Sequence, residues 1–258
     1  MKKYIYLGLL AIFSYAGFVV AQLPADKAYA YAREKGLLPV ELYQVNGSAW
    51  SGKAGVLKIG QKRIQSVDWQ LDFASLLMGE IKLALGHELA GNHISLITGR
   101  SITGDYSLSS GDEPLSLAEL EKLLNPQPYG LKGNAVIGLE KIRIDGGQLV
   151  GLEGHLEWHD AGLGAPLNIT VGSFSAEFET QDDGIHGDLK DISGALKLKG
   201  DFILKPDGNY TLKATLKSRD PNRKDLKQAL RMFGTPSPDG QVSLSRTGKL
   251  NLQQLLSI

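Results

Sequence analysis

The chain has no cysteine. Disulfides are therefore absent from its stability, and zinc or redox centres built on thiolate are excluded. It also lacks an excess of either charge: Lys and Arg number 28 and Asp and Glu number 28, so the formal net charge is zero. Nucleic-acid binders concentrate basic charge, and no nucleic-acid partner is expected here. A phosphate-cradling P-loop, a dinucleotide glycine pattern in a strand–helix context and a G-x-S-x-G nucleophile elbow are all missing. No catalytic residue, no metal site and no cofactor are expected. Glycine, by contrast, is abundant at 31 residues, which suits a chain with many turns and bulges.

One long apolar run is present. Tyr4 to Ala21 carries no charge, and Lys2 and Lys3 stand directly before it. As a helix rising about 1.5 Å per residue, such a run reaches about 27 Å, close to the hydrocarbon core of a bilayer. The lysines would stay on the cytoplasmic side. Tyr4, Leu7, Leu10, Phe13, Phe18 and Val20 are the residues expected to form this membrane anchor. The competing reading is a cleaved signal peptide with its exit at Val19-Val20-Ala21, but the apolar run is longer than a usual signal core. The organisation that follows is a stub and transmembrane anchor over 1–22, a juxtamembrane segment over 23–40, and a β-rich domain over 41–258 with a subdivision near 125–132. Pro24 and Gly36 bracket a short helix over Asp26–Lys35.

From Leu42 the apolar pattern changes to period two. Val67, Trp69, Leu71 and Phe73 alternate with Asp68, Gln70 and Asp72, as a half-buried strand requires. Short runs follow at Ile81–Leu85, Ile94–Ile97 and Ile102–Leu108, then at Val136–Ile144, Leu149–His159, Leu167–Phe178, Ile185–Leu189, Leu196–Leu204 and Tyr210–Leu216. Gly, Asn and Asp separate them at hairpin spacing. A last hairpin is expected over Val242–Ser245 and Lys249–Leu252, turning at Thr247-Gly248.

Two short helices interrupt the strands. Ser116 and Glu119 form a capping box for one, which Pro126 ends. The other is expected to start at Asp220-Pro221, with Leu226, Ala229, Leu230 and Phe233 on one face and Gly234 at its close. The expected fold is mainly β: an N-terminal transmembrane helix followed by a large antiparallel, curved sheet or sandwich with two short covering helices. The succession Leu57-Lys58-Ile59, Ile64, Val67-Asp68-Trp69 echoes Ile142-Arg143-Ile144, Leu149, Leu156-Glu157-Trp158, a weak sign of an internal duplication.

Three polar clusters hold residue types that could carry chemistry. His155, Glu157 and His159 share one face of a strand, but positions four apart on a strand lie about 13 Å from each other, too far for one ion. His87-Glu88 and His93 sit among glycines and read as exposed loop. Asp182-Asp183, Asp188 and Asp191 lack the ligand spacing of a calcium loop and read as a hairpin tip.

One motif succession is more telling. Gly47-Ser48-Ala49-Trp50-Ser51-Gly52 is followed by Trp69-Gln70-Leu71 and by Leu76-Leu77-Met78-Gly79, behind the apolar run and Leu23-Pro24-Ala25. With Gly154 to Gly162 around Trp158, this resembles the N component of the bacterial type II secretion system, the general secretion pathway protein N family. Gly47, Trp50, Gly52, Trp69, Leu71, Leu77, Gly79 and Trp158 carry the resemblance as structural residues. The resemblance implies a non-enzymatic, single-pass inner-membrane protein with most of its chain in the periplasm. It further implies partners among the other secretion-system components of inner membrane and periplasm. A vaguer similarity, to periplasmic proteins with an open β groove, adds lipid as an alternative ligand.

Overall fold

The structure is a computed structural model, and it describes residues 2–36, 40–60, 62–89, 92–110, 114–124, 130–165 and 168–250. Contacts divide the chain into two compact units, Met1–Ile94 and Ser95–Ile258.

In the first unit, α1 (Lys2–Ala21) covers the apolar run and α2 (Ala25–Glu34) follows Pro24. Leu7, Phe18 and Val20 are exposed, while the side chains of Tyr4, Leu10 and Phe13 lie outside the described residues. Among the described residues no helix is long and apolar enough to cross a membrane. Then come β1 (Glu41–Tyr43), β2 (Asn46–Gly47), β3 (Ser51–Ile59), β4 (Lys62–Asp72), α3 (Phe73–Leu77) and β5 (Glu80–Leu89). The strands pair antiparallel in the order β1-β3-β4-β5, with β2 on β3. Helix α3 corrects the expectation of continuous strand through Phe73. The Asp72 carboxylate accepts from the Ala74 N–H at 2.9 Å and the Ser75 hydroxyl at 2.6 Å, and these bonds open a helical turn.

His87 is also corrected, from loop to strand. It lies on β5 opposite Val67 and is 8% exposed, and neither ring nitrogen has a hydrogen-bond partner among the described residues. The side chains of Glu88 and His93 lie outside the described residues. A buried polar group left unpaired costs about 1–3 kcal/mol. Replacing His87 with leucine is therefore expected to leave stability unchanged or raise it by up to about 1 kcal/mol in urea titration. A loss beyond that range would show that the imidazole is paired.

The second unit holds most of β6 (Asn92–Ser101), then β7 (Tyr106–Ser109), β8 (Leu115–Ser116), α4 (Leu117–Leu124), β9 (Leu131–Asp145), β10 (Gln148–Leu163), β11 (Ile169–Gln181), β12 (Gly184–Ser193), β13 (Leu196–Leu204), β14 (Asn209–Ser218), α5 (Lys224–Arg231) and β15 (Gln241–Lys249). Its strands form a large antiparallel sheet in the order β6-β7-β9-β10-β11-β12-β13-β14-β15, with β8 on β9. Neighbouring strands are mostly consecutive in the chain, so short turns fix the register. Register shifts fall between Glu153 and Gly154 against β9, and between Trp158, Ala161 and Gly162 against β11. Such bulges bend a strand and curve the sheet. Gly154 permits one of them: its φ is +133, and a side chain there would collide with the Gly138 carbonyl.

Period two sorts the register rows of β11–β14 into two faces. Phe178, Gly187, Phe202 and Leu212 form one row, and Glu177, Asp188, Asp201 and Lys213 the adjacent one. Helix α5 covers the apolar side, where Leu230 meets Leu216 and Val242, with Leu196 and Leu198 against them. It begins later than expected. Asp220 accepts from the Asn222 N–H at 2.7 Å and so closes a turn, which leaves Arg223 at the N-cap and Pro221 outside the helix. Phe233 falls beyond the helix and is 50% exposed. The expected final hairpin is one strand instead: Thr247 and Gly248 pair with Thr211 and Tyr210, so β15 runs straight through them. Residues 251–258 lie outside the described residues. Ile102 is in the turn between β6 and β7 and is 87% exposed.

Candidate functional site

The glycine–tryptophan loop of the first unit is built on the junction between α1 and α2. Ser48 bridges Pro24, and the Ala49 N–H donates to the Leu23 carbonyl at 2.8 Å. The Trp50 indole N–H donates to the carbonyl of Val20, in the last turn of α1, at 2.8 Å. Trp50 also packs on Phe73, with ring centroids 4.6 Å apart, and its carbonyl accepts from the Leu71 N–H at 2.7 Å. Trp69, on β4, lies across Gly52 and donates its indole N–H to Ala49 at 3.2 Å. The motif residues Gly47, Trp50, Gly52, Trp69 and Leu71 thus come together in one joint, which ties the end of α1 to the sheet. Leu77 and Gly79 stand beyond it, at the far end of α3, where Leu77 is 92% exposed and Gly79 has a φ of +79. The Asp72 carboxyl at the start of α3 is held below the usual carboxylate range by the Ser75 hydroxyl first and the Ala74 N–H second.

Trp158 lies in the second unit and repeats the Trp69 arrangement. Trp69 faces Gly52 and donates to Ala49; Trp158 faces Ala135 and donates to Lys132 at 2.8 Å, so each acceptor stands three residues before the tryptophan's partner. Five residues before each partner is a glycine of positive φ, Gly47 at +95 and Gly130 at +76. This shared geometry joins the sequence echo between the two hairpins. All three tryptophans are half-buried rather than fully buried, and each indole N–H reaches a backbone carbonyl. The segment leading into β9 is held by a buried carboxylate: Glu121, on α4, accepts from the N–H groups of Gly130 at 3.0 Å and Leu131 at 2.8 Å.

The polar clusters find separate partners. His159 pairs with Glu157 at 2.7 Å, while the His155 ring lies over Gly138. Asp183 pairs with His186 at 2.7 Å, and this contact holds its carboxyl below the usual range. Asp191 binds Arg219 and accepts from the Leu198 N–H at 2.8 Å. Among the described residues, no three His, Asp or Glu side chains gather where they could hold a metal ion.

An open groove of about 1110 Å³ crosses β11–β15. The carboxylates of Glu177, Glu179, Asp188 and Asp201 share one face of the strands it crosses, with Lys213 among them, and its border also takes in Asp183 and Lys205 and, from the adjacent rows, Phe178, Phe202 and Tyr210. Glu177 pairs with Lys190 at 2.9 Å, and that bond is the main reason the Lys190 pKa is raised. The groove was not legible in the sequence, since it needs five strands in register. Helix α3 was legible in principle, because Asp72 before an apolar Phe-Ala-Ser-Leu-Leu run is an N-cap signal.

Comparison with known proteins gives a consistent picture. The family model described as "Type II secretion system (T2SS), protein N" matches residues 39–245. The chain is similar to type II secretion system protein N of Aeromonas hydrophila, 26% identical over 97% of this chain and 100% of that one. It is likewise similar to the protein of the same name from Vibrio cholerae serotype O1, at 24% identity over 97% and 100% of the two chains. The corresponding protein of Pectobacterium carotovorum subsp. carotovorum is 21% identical over 97% and 99%. No solved structure matches the chain.

Proposed function

Because the chain belongs to the type II secretion system protein N family, we propose that it is a non-enzymatic component of that machine. It supports export of folded proteins across the outer membrane through contacts with other components in the inner membrane and periplasm. In this reading α1 is an uncleaved single-pass anchor, formed by Tyr4, Leu7, Leu10, Phe13, Phe18 and Val20, and the β-rich bulk lies in the periplasm. The observation that carries it is the family match across 39–245, which takes in almost the whole β-rich region. The joint around Trp50 supports the anchor, because it fixes the sheet of the first unit to the end of α1.

The sheets supply a mode of contact. Among the described residues β15 pairs only with β14, and β1 only with β3. An unpaired strand side offers a row of backbone donors and acceptors to a partner's strand. The groove's carboxylates make it a poor match for an anionic lipid, so the protein-contact reading is preferred to the lipid one.

The test uses the full chain. Detergent-solubilised protein is expected to recover other secretion components, and deletion of its gene to impair export of folded cargo. Unimpaired export, with no component recovered under mild conditions, would overturn the proposal. N-terminal sequencing addresses the anchor separately: a mature start at Gln22 would remove it.

A further inference from the structure

The first unit carries an apolar tip that its own sheet does not cover. Leu77 is 92% exposed and Met78 84%, and Phe73 at 49% and Ile81 at 53% flank them. The tip is shaped locally. Asp72 caps the start of α3, and the N–H groups of Met78 and Gly79 close its end on the carbonyls of Ser75 and Leu76, at 3.0 and 3.1 Å. Phe73 and Leu77 are four apart on the helix and so share a face.

Position gives this patch a partner. Phe73 packs on Trp50, and Trp50 is hydrogen-bonded to Val20 near the end of α1. Leu77 lies four residues beyond Phe73 on α3, a rise of only about 6 Å along the helix. The interfacial zone of a leaflet is itself about 5–8 Å deep, and tryptophan favours that level. Phe18, Val19 and Val20 are exposed on α1 at the same end, and half-buried Trp50 links that end to Phe73 at the base of the tip. Of the charged residues next to the tip in sequence, Asp72 is engaged in capping and Glu80 pairs with Lys82 at 3.2 Å.

We infer that the Phe73–Met78 tip is a second membrane contact, which places Leu77 and Met78 in the interface of the leaflet where α1 ends. The inference rests on the reading of α1 as an anchor. The sheet of the first unit is then held against the bilayer at two points, a constraint on its orientation that a single helix does not provide.

The absence of native cysteine allows a direct test. Full-length chains with one nitroxide label each, at Met78→Cys, Phe18→Cys or exposed Lys53→Cys, are reconstituted in phosphatidylethanolamine–phosphatidylglycerol vesicles. Collision with lipid-soluble oxygen is compared with collision with a water-soluble nickel chelate. The label at 78 is expected to show an oxygen-to-nickel ratio several-fold above that at 53 and close to that at 18. A ratio at 78 equal to that at 53, with 18 in lipid, overturns the tip contact and leaves the anchor standing. Aqueous ratios at both 78 and 18 overturn the anchor, and the tip contact with it. Spin–spin broadening at 78 that vanishes on dilution with unlabelled chain would assign the tip to a second copy, which also overturns the inference.

Discussion

Replacing Gly52 with valine is expected to unfold the joint at the end of α1. A side chain at this position would occupy the space of the Trp69 ring, and its first carbon would stand 2.6 Å from the Asn46 carbonyl. Neither neighbour can yield cheaply. The carbonyl belongs to β2, which pairs here with β3, and the ring is fixed by its hydrogen bond to Ala49. If the ring moves, that bond and the packing of a half-buried indole are lost together. Overpacking costs about 1–3 kcal/mol, and loss of a large aromatic's packing about 3–5, so a loss above about 3 kcal/mol is expected. Urea titration followed by tryptophan emission measures it. A variant within about 1 kcal/mol of wild type would mean that the Trp69 ring is free to leave. Alanine should fall between the two, since its methyl group already meets the ring.

The second large effect is expected at Leu230. Helix α5 has eight residues, fewer than an isolated helix needs to persist in water. Its stability must come from the face it buries. Leu226 is 1% exposed and Leu230 4%, and Leu230 packs against Leu216 and the fully buried Val242. Leu230→Ala is expected to cost about 2–5 kcal/mol, because it leaves a cavity against a strand that cannot collapse onto it. Lys227→Ala, on the exposed face, should change stability by no more than about 0.5 kcal/mol. Denaturation of the two variants side by side checks this, and equal effects would show that α5 is not docked as described.

These two positions differ in how much of their role could be read from the chain. The face of α5 was legible: Leu226 and Leu230 repeat at helical spacing, and the helix buries them. Its start was not legible, because Asp220 can cap a helix or close a turn, and the sequence around it suits both. The last strand failed in a similar way. Thr247-Gly248 looks like a turn, yet β14 offers a full row of partners through Tyr210, and pairing keeps the strand straight. In the sequence Gly52 stands two residues after Trp50, and nothing local shows what holds it to glycine. Its actual constraint is the ring of Trp69, seventeen positions away and brought opposite by the hairpin register.

The sequence alone determined the class of the molecule. Alternation at period two, glycine-rich breaks and two short amphipathic helices specify an antiparallel β protein, because each signal lies within a few residues of chain. The tertiary structure decided what the signature residues touch. The indoles of Trp50, Trp69 and Trp158 reach carbonyls 30, 20 and 26 residues away, and the groove draws on β11 to β15. The Trp50 contact depends on how α1 meets the loop; the others depend on strand register, and a slip of one residue would turn every side chain of a strand to the opposite face. Local pattern fixes which residues alternate; only the assembled sheet fixes which of them meet.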